Sequence, residues 1–178
     1  MAGKTLQLLK EAVPNLSRVA VLLDPAPGAR QTLREMEVAA PVLGLQLQVV
    51  DVRRPSELKG AFATATRGKA GAAIILGRTL WPQRALIAEL AVKRRLPTAG
   101  MLPAFAEAGW LVGYGTSVSD QGKRAAEFVD QILKGAKPAT LPVEQPTKFY
   151  LGINLKTARA IGLTIPPALL QRADQVID

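Results

Sequence analysis

Short apolar segments recur through the first half of this chain at intervals of roughly 25 to 28 residues. They occupy residues 18–23, 45–52, 71–76 and 97–101. Amphipathic helical patterns lie between them, over residues 29–43, 55–67 and 81–95. Strands alternating with helices in this way predict right-handed crossovers and a parallel sheet covered by helices on both faces. The predicted fold class is therefore α/β, with a Rossmann-like sheet.

The composition suits such a fold and excludes many enzyme classes. With 178 residues, 48% of them hydrophobic and 4% aromatic, the chain can build one core, mainly from aliphatic side chains. There is no cysteine and no histidine. Disulfides, thiolate chemistry and Ser-His triads are therefore excluded, and the commonest zinc ligands are absent. No catalytic residue, metal site or cofactor is predicted, and the chain is not expected to be an enzyme.

The formal net charge is +9, with a pI of about 10.3. The basic residues are scattered, however, with small groups at residues 53–54 and 93–95. No aromatic side chains are interleaved with them to stack on bases, so nucleic-acid binding is not predicted. No apolar window is long enough to span a bilayer, and the N-terminus lacks the pattern of a signal peptide.

Ligand-binding side chains are expected where the strands end, because ligands of open α/β sheets bind outside the carboxyl ends of the strands. Trp81, near one such end, would either cover a small molecule or cap the start of a helix. Tyr114 lies between Gly113 and Gly115, which would let a ligand or another backbone segment approach closely. The complete set of predicted ligand-binding residues is Asp24, Arg78, Thr79, Trp81, Met101 and Tyr114.

In the second half of the chain, the regular alternation of strands and helices is interrupted by a long helix and a connector. A fifth strand at residues 110–114 precedes a long helix at residues 117–134, which is followed by a proline-containing connector and a strand at residues 149–154. Asn154 is predicted to cap a short helix that ends at Gly162. The long helix carries an apolar stripe made of Val118, Ala125, Phe128, Val129, Ile132 and Leu133.

Several segments together resemble one protein family. They are residues 9–21 (LKEAVPNLSRVAV), 43–47 (LGLQL), 105–109 (FAEAG), 113–115 (GYG), 132–138 (ILKGAKP) and the C-terminal stretch from Leu141 to Pro167. The chain is similar to ABC-transporter substrate-binding proteins, a family that includes bacterial tryptophan- and tyrosine-uptake proteins. The resemblance implies a type I periplasmic-binding fold with two lobes, a small ligand held between them, and a membrane permease as partner.

The resemblance also implies a domain organisation. Residues 1–116 with 148–178 correspond to the family's second lobe, and residues 117–147 form a helix and connector that would pack on a first lobe absent from this chain. The exposed helix is then expected to form a homodimer or a domain-swapped assembly that buries Phe128, Val129 and Ile132. The family is extracytoplasmic, whereas a chain that truly begins at Met1 would be cytoplasmic.

The expected pocket departs from the family pattern. Arg78 and Ala104 stand where relatives often carry acidic residues, and Gly100 stands where they often carry an aromatic one. Arg78 would repel an ammonium group and favour a carboxylate or phosphate. The ligand is therefore expected to be an amino acid or an organic anion. The alternative function is a truncated cytoplasmic interaction or regulatory module, dimeric and anion-binding.

Overall fold

The computed structural model describes residues 1–178, apart from the side chain of Pro27. Seven strands form one sheet in the order β2-β1-β3-β4-β5-β6-β7. Strands β1 to β5 pair in parallel, β6 runs antiparallel to β5, and β7 is parallel to β6. The strands are β1 (Arg18–Leu23), β2 (Gln46–Asp51), β3 (Ala72–Leu76), β4 (Thr98–Gly100), β5 (Val112–Gly115), β6 (Tyr150–Asn154) and β7 (Gln175–Ile177).

Eight α-helices and three short 3-10 turns accompany the sheet. The helices are α1 (Ala2–Ala12), α2 (Pro27–Val42), α3 (Leu58–Arg67), α4 (Arg84–Arg94), α5 (Ala104–Glu107), α6 (Val118–Leu133), α7 (Leu155–Ile161) and α8 (Pro167–Leu170). The 3-10 turns are Pro55–Glu57, Trp81–Gln83 and Pro138–Thr140. The predicted α/β fold class is confirmed. No described helix is long and apolar enough to cross a membrane.

Two apolar clusters lie on opposite faces of the sheet. Successive residues of β1 belong to the two clusters in turn, because successive side chains of a strand point to opposite faces of the sheet. Val21 packs in the cluster that contains α1 and α2, whereas Leu22 packs with Phe62 of α3 on the other face. The strand is therefore buried on both sides, which explains why its sequence is continuously apolar rather than alternating.

Local signals in the sequence set several element boundaries. Asn154 Oδ1 accepts a hydrogen bond from Thr157 N at 2.7 Å, so the predicted helix cap is confirmed. Gly162 ends α7 with φ of +77°, a left-handed conformation that favours glycine. Other boundaries differ from the prediction. Two predicted helices begin as 3-10 turns, α2 begins at Pro27 rather than at residue 29, and α5, α8 and β7 were not predicted.

Helix α6 stands apart from both clusters. Every described residue of α6 is partly or fully exposed, and Val118 and Val129 are more than half exposed. Its N-terminus is capped by Ser117, whose Oγ accepts a hydrogen bond from Asp120 N at 3.2 Å. The connector is held beside the helix by Arg124, whose Nε donates to Glu144 Oε2 at 2.6 Å. The apolar stripe predicted from the sequence therefore faces solvent in this chain.

Candidate functional site

A depression of about 310 Å³ lies at the carboxyl ends of the parallel strands. The ends of β3 and β4, the loops that follow them and the first turn of α2 surround it. Its volume is at the lower end of the range of small-molecule sites, about 300 to 1,000 Å³. We call this feature the strand-end depression. The residues that line it include Ala26, Gly28, Arg78, Trp81, Met101 and Phe105.

Aromatic rings form one wall of the strand-end depression. The rings of Trp81 and Phe105 have centroids 5.8 Å apart and are tilted by 58°. Behind them, Phe105 stacks on Trp110 with a centroid distance of 4.1 Å and an interplanar angle of 7°. Trp110 is buried, and its Nε1 donates a hydrogen bond to the carbonyl oxygen of Arg84 at 2.9 Å. The wall is therefore supported from behind by the buried Trp110, and it presents an apolar surface to the depression.

Gly100 makes room for this aromatic stack. A Cβ atom at residue 100 would lie 2.3 Å from Phe105 Cδ2 and 2.6 Å from Trp110 Cζ3. These distances are far below van der Waals contact. The two rings thus occupy the space that a side chain at position 100 would need. Phe105 was not among the predicted ligand-binding residues, although its position shortly after the end of β4 could have suggested it.

Asp24 and Thr79 join the loops after β1 and β3. Asp24 is buried, and its carboxylate accepts hydrogen bonds from Ala26 N and Thr79 N, both at 3.1 Å, and from Thr79 Oγ1. Burial alone would raise the pKa of Asp24, but the hydrogen bonds from Thr79 and Ala26 outweigh it and hold that pKa below its usual value. Gly77 makes the approach possible, because a Cβ there would lie 2.0 Å from Asp24 Cβ.

The structure brings together three of the six predicted ligand-binding residues. Arg78, Trp81 and Met101 line the strand-end depression. Asp24 and Thr79 bind each other and support the loops that form its rim.

Tyr114 is not among the residues that line the depression. It stacks on Phe149 with ring centroids 5.9 Å apart. The glycine on its C-terminal side, Gly115, admits the backbone rather than a ligand: a Cβ there would lie 2.2 Å from the carbonyl oxygen of Met101.

Arg78 dominates the electrostatics of the depression. It is the only charged side chain among the described residues that line it. Arg78 is exposed, and no acidic group among the described residues forms an ion pair with it. Groups of three or more potential metal ligands are likewise absent from the described residues. The site therefore offers a guanidinium group and an apolar wall, which suits non-covalent binding of a small molecule.

Two larger depressions lie beside α6. One, of about 600 Å³, lies between the start of α6, the α5 region and strands β6 and β7, and the other, of about 490 Å³, lies between α6 and the connector. Both exist because α6 leaves the body of the protein without packing on it. We take the strand-end depression as the candidate site, since the carboxyl ends of parallel strands are where open α/β sheets bind ligands.

Comparison with known proteins shows the family to which the chain belongs. A family profile described as "ABC transporter substrate binding protein" matches residues 1–177. A structure described as an ABC domain in complex with L-Trp from Streptococcus pneumoniae shares 26% sequence identity, with a TM-score of 0.86 over 99% of this chain. A conserved domain protein from Vibrio cholerae shares 23% identity, with a TM-score of 0.88 over 98% of this chain. Comparison with curated protein sequences found no significant match.

More distant structures share the fold. A solute-binding protein of an ABC transporter system from Conexibacter woesei is 16% identical, with a TM-score of 0.64 over 97% of this chain. This chain spans only part of each structure: 62% of the Streptococcus chain, 60% of the Vibrio chain and 57% of the Conexibacter chain. The solved relatives therefore contain a substantial region that has no counterpart in this sequence.

Proposed function

Because this chain belongs to the ABC transporter substrate-binding protein family, we propose that it captures a small solute at the strand-end depression, between this α/β unit and a second lobe. The family consists of solute-binding proteins, which is not an enzyme class, and is normally extracytoplasmic. In this proposal the loaded protein delivers its solute to a membrane permease of the ABC type. Lobe closure over the ligand would supply the conformational signal that the permease reads.

One observation carries the proposal. The family match extends over residues 1–177, and within that region an aromatic-walled depression lies at the carboxyl edge of the parallel sheet. That edge is the ligand-binding position of open α/β sheets. The partial coverage of the relatives supports a further part of the proposal, which concerns the organisation of the chain. Residues 1–116 with 148–178 would form the body that carries the ligand face, and residues 117–147 would contact the second lobe.

The affinity of this unit alone should be low. Drug-sized ligands gain about −0.3 kcal/mol per non-hydrogen atom even in complete sites. If a partial site gives a ligand of about a dozen such atoms no more than this per atom, it binds with about −4 kcal/mol, which corresponds to a millimolar dissociation constant. In this proposal a second lobe closes over the strand-end depression, so this unit alone supplies only part of the contacts with the ligand. Weak binding localised to this face is therefore the expected behaviour.

The test is a solute screen read out by amide chemical shifts of the isotopically labelled protein. Amino acids including L-tryptophan, nucleobases and organic anions would be added at millimolar concentration. At least one class should perturb amides of residues 77–81 and 101–105. Trp81→Ala should abolish this perturbation by removing half of the aromatic wall. Phe149→Ala is the matched control, because it truncates a partly exposed aromatic residue that does not line the depression.

Two outcomes would contradict the proposal. Perturbations centred on the depressions beside α6 would place ligand binding elsewhere. Equal loss of the signal in Trp81→Ala and Phe149→Ala would show that the response reports general destabilisation rather than contact with the ligand.

We also propose that the apolar stripe of α6 mediates association, by forming a homodimer or a domain-swapped assembly. Val129 and Ile132 are 55% and 40% exposed, and Phe128 is partly exposed, with the guanidinium of Arg124 over its ring at 4.7 Å from the centroid. Contiguous exposed apolar residues of this kind mark interaction surfaces. This stripe favours a second candidate function, that of an interaction module that associates through α6 and binds an anion through Arg78.

Sedimentation velocity tests the association. The protein should associate at micromolar concentration, and Val129→Asp should make it monomeric by introducing a charge into the stripe. Val38→Asp is the matched control: Val38 is 78% exposed on α2, far from the stripe in the sequence. A wild-type protein that sediments as a compact monomer would rule out self-association through α6.

A further inference from the structure

We propose that the ligand group bound by this unit is the carboxylate of an organic anion with an aromatic or apolar body. This inference rests on the proposed function and names the class of solute that the strand-end depression selects. Arg78 would bind the carboxylate, and Trp81 with Phe105 would contact the apolar body.

Arg78 provides the positive charge of the strand-end depression. Arg78 lines the depression without an acidic partner among the described residues, so its guanidinium donors are available to a ligand. A guanidinium group presents a planar set of donors that matches a carboxylate in a bidentate arrangement. The ligand group that satisfies Arg78 best is therefore a planar anion.

Helix α2 points its N-terminus toward the strand-end depression. The first turn of this 16-residue helix borders the depression through Ala26, Gly28 and Ala29. Its N-cap residue is Ala26, which has no side chain that could accept a hydrogen bond, and residues 27–30 include no acid. The positive end of the helix dipole therefore points toward the depression with no acid in its own first turn, and the one carboxylate beside the N-cap, that of Asp24, is already engaged by Ala26 N and Thr79.

The described lining of the depression offers no free carboxylate to an ammonium group. The nearest candidate in the sequence is Asp24, but the structure buries its carboxylate and engages it with Ala26 N, Thr79 N and Thr79 Oγ1. No other carboxylate belongs to the described lining of the depression. An amine on the ligand would therefore find no free carboxylate in the described lining of the depression, and a neutral ligand would leave Arg78 without a partner.

The lining of the depression is mostly apolar, and this favours a ligand with an apolar body. Apart from Arg78 and Thr32, the described lining is formed by glycine and by apolar side chains, including the Trp81–Phe105 wall and Met101. A small inorganic anion would leave this surface in contact with water. An arylalkanoate, whose carboxylate and ring lie a few bonds apart, can satisfy both the guanidinium and the wall.

The test compares three probes that share one aromatic body and differ in the head group: 3-phenylpropionate, 3-phenylpropionamide and 3-phenylpropylamine. Affinities are measured from amide shifts of residues 77–81 and 101–105. The carboxylate should bind up to about fivefold more tightly than the amide, the size of an exposed ion pair, and the amine should bind most weakly. The preference for the carboxylate should shrink as the ionic strength rises.

Two variants separate local recognition from general attraction of anions by a protein of charge +9. Arg78→Gln should reduce the affinity for the carboxylate to that for the amide while leaving the amide unchanged. Arg94→Gln removes the same charge from the last turn of α4, at the opposite edge of the sheet, and should preserve the preference.

Equal binding of the carboxylate and the amide by the wild-type protein would overturn the anion inference and leave solute binding at this face intact. Equal losses in the two arginine variants would also overturn it, because the preference would then be a property of the net charge. If none of the three probes perturbs these amides while another solute in the screen does, the apolar-anion class is wrong and solute binding stands. A face that responds to no solute at all contradicts both proposals.

Discussion

Replacement of Asp24 by alanine should cost a large part of the stability of this protein. The carboxylate is buried and accepts three hydrogen bonds, two of which, from Thr79, join the loop after β1 to the loop after β3. The partners Asp24 and Thr79 lie 55 residues apart in the sequence. Removing the carboxylate therefore leaves two backbone N–H groups without their acceptor and releases both loops at the rim of the strand-end depression.

The magnitude follows from the number and kind of these bonds. A hydrogen bond to a charged group contributes about 1.5 to 3 kcal/mol to the free energy of unfolding. The sum over three such bonds is an upper limit, because relaxation of the loops and entry of water compensate part of the loss. We therefore expect Asp24→Ala to lower the free energy of unfolding by about 3 kcal/mol. Thr79→Val removes only the hydroxyl donor and should cost about 1 kcal/mol.

The assay is urea unfolding followed by circular dichroism. With a slope of about 2 kcal/mol per molar urea, a loss of 3 kcal/mol lowers the midpoint by about 1.5 M. Asp51→Ala is the matched control, because Asp51 pairs in register with Leu23, the residue before Asp24, yet is exposed. Its replacement should change the free energy of unfolding by no more than about 0.5 kcal/mol.

The pKa of Asp24 adds a second signature. Because its pKa in the folded state lies below the ordinary value of 3.8, the stabilisation by the carboxylate is fully present above that value. It is lost as the pH falls through the lower folded-state pKa. The stability gap between the wild type and Asp24→Asn should therefore be constant near neutral pH and close in acid. Equal effects of the Asp24 and Asp51 replacements, or a gap that widens in acid, would refute the reasoning.

Three further predictions concern packing and the connector. Gly100→Ala should lower the free energy of unfolding by about 1 to 3 kcal/mol in urea titrations, because the new methyl group would clash with the two stacked rings. Gly60→Ala is the control: position 60 on α3 has open space around it, so this replacement should not be destabilising. Thr98→Val should be neutral or raise the melting temperature, because the buried hydroxyl of Thr98 has no hydrogen-bond partner among the described atoms. Arg124→Ala should leave the free energy of unfolding unchanged, because the Arg124–Glu144 ion pair is exposed. It should speed hydrogen exchange in the connector around Glu144, and unchanged exchange would show that this ion pair does not hold the connector beside α6.

The sequence alone determined the order of the elements and the class of the fold. Strand β1 was predicted with its observed limits, because an apolar run of that length between turn residues is a local signal. The cap at Asn154 and the helix end at Gly162 were also predicted, since each depends on one residue and its neighbours. The short elements α5, α8 and β7 were missed because three or four residues carry too little periodicity to be recognised.

The geometry of the candidate site depended on tertiary structure. Asp24 and Thr79 were both predicted as ligand contacts, but their pairing with each other required β1 and β3 to lie side by side. The aromatic wall is a second case: Phe105 and Trp110 stack in the space left by Gly100, and no spacing rule along the chain relates these three residues. Periodicity is a local property that the chain displays before it folds, whereas side-chain partners are chosen only when distant segments meet in the sheet.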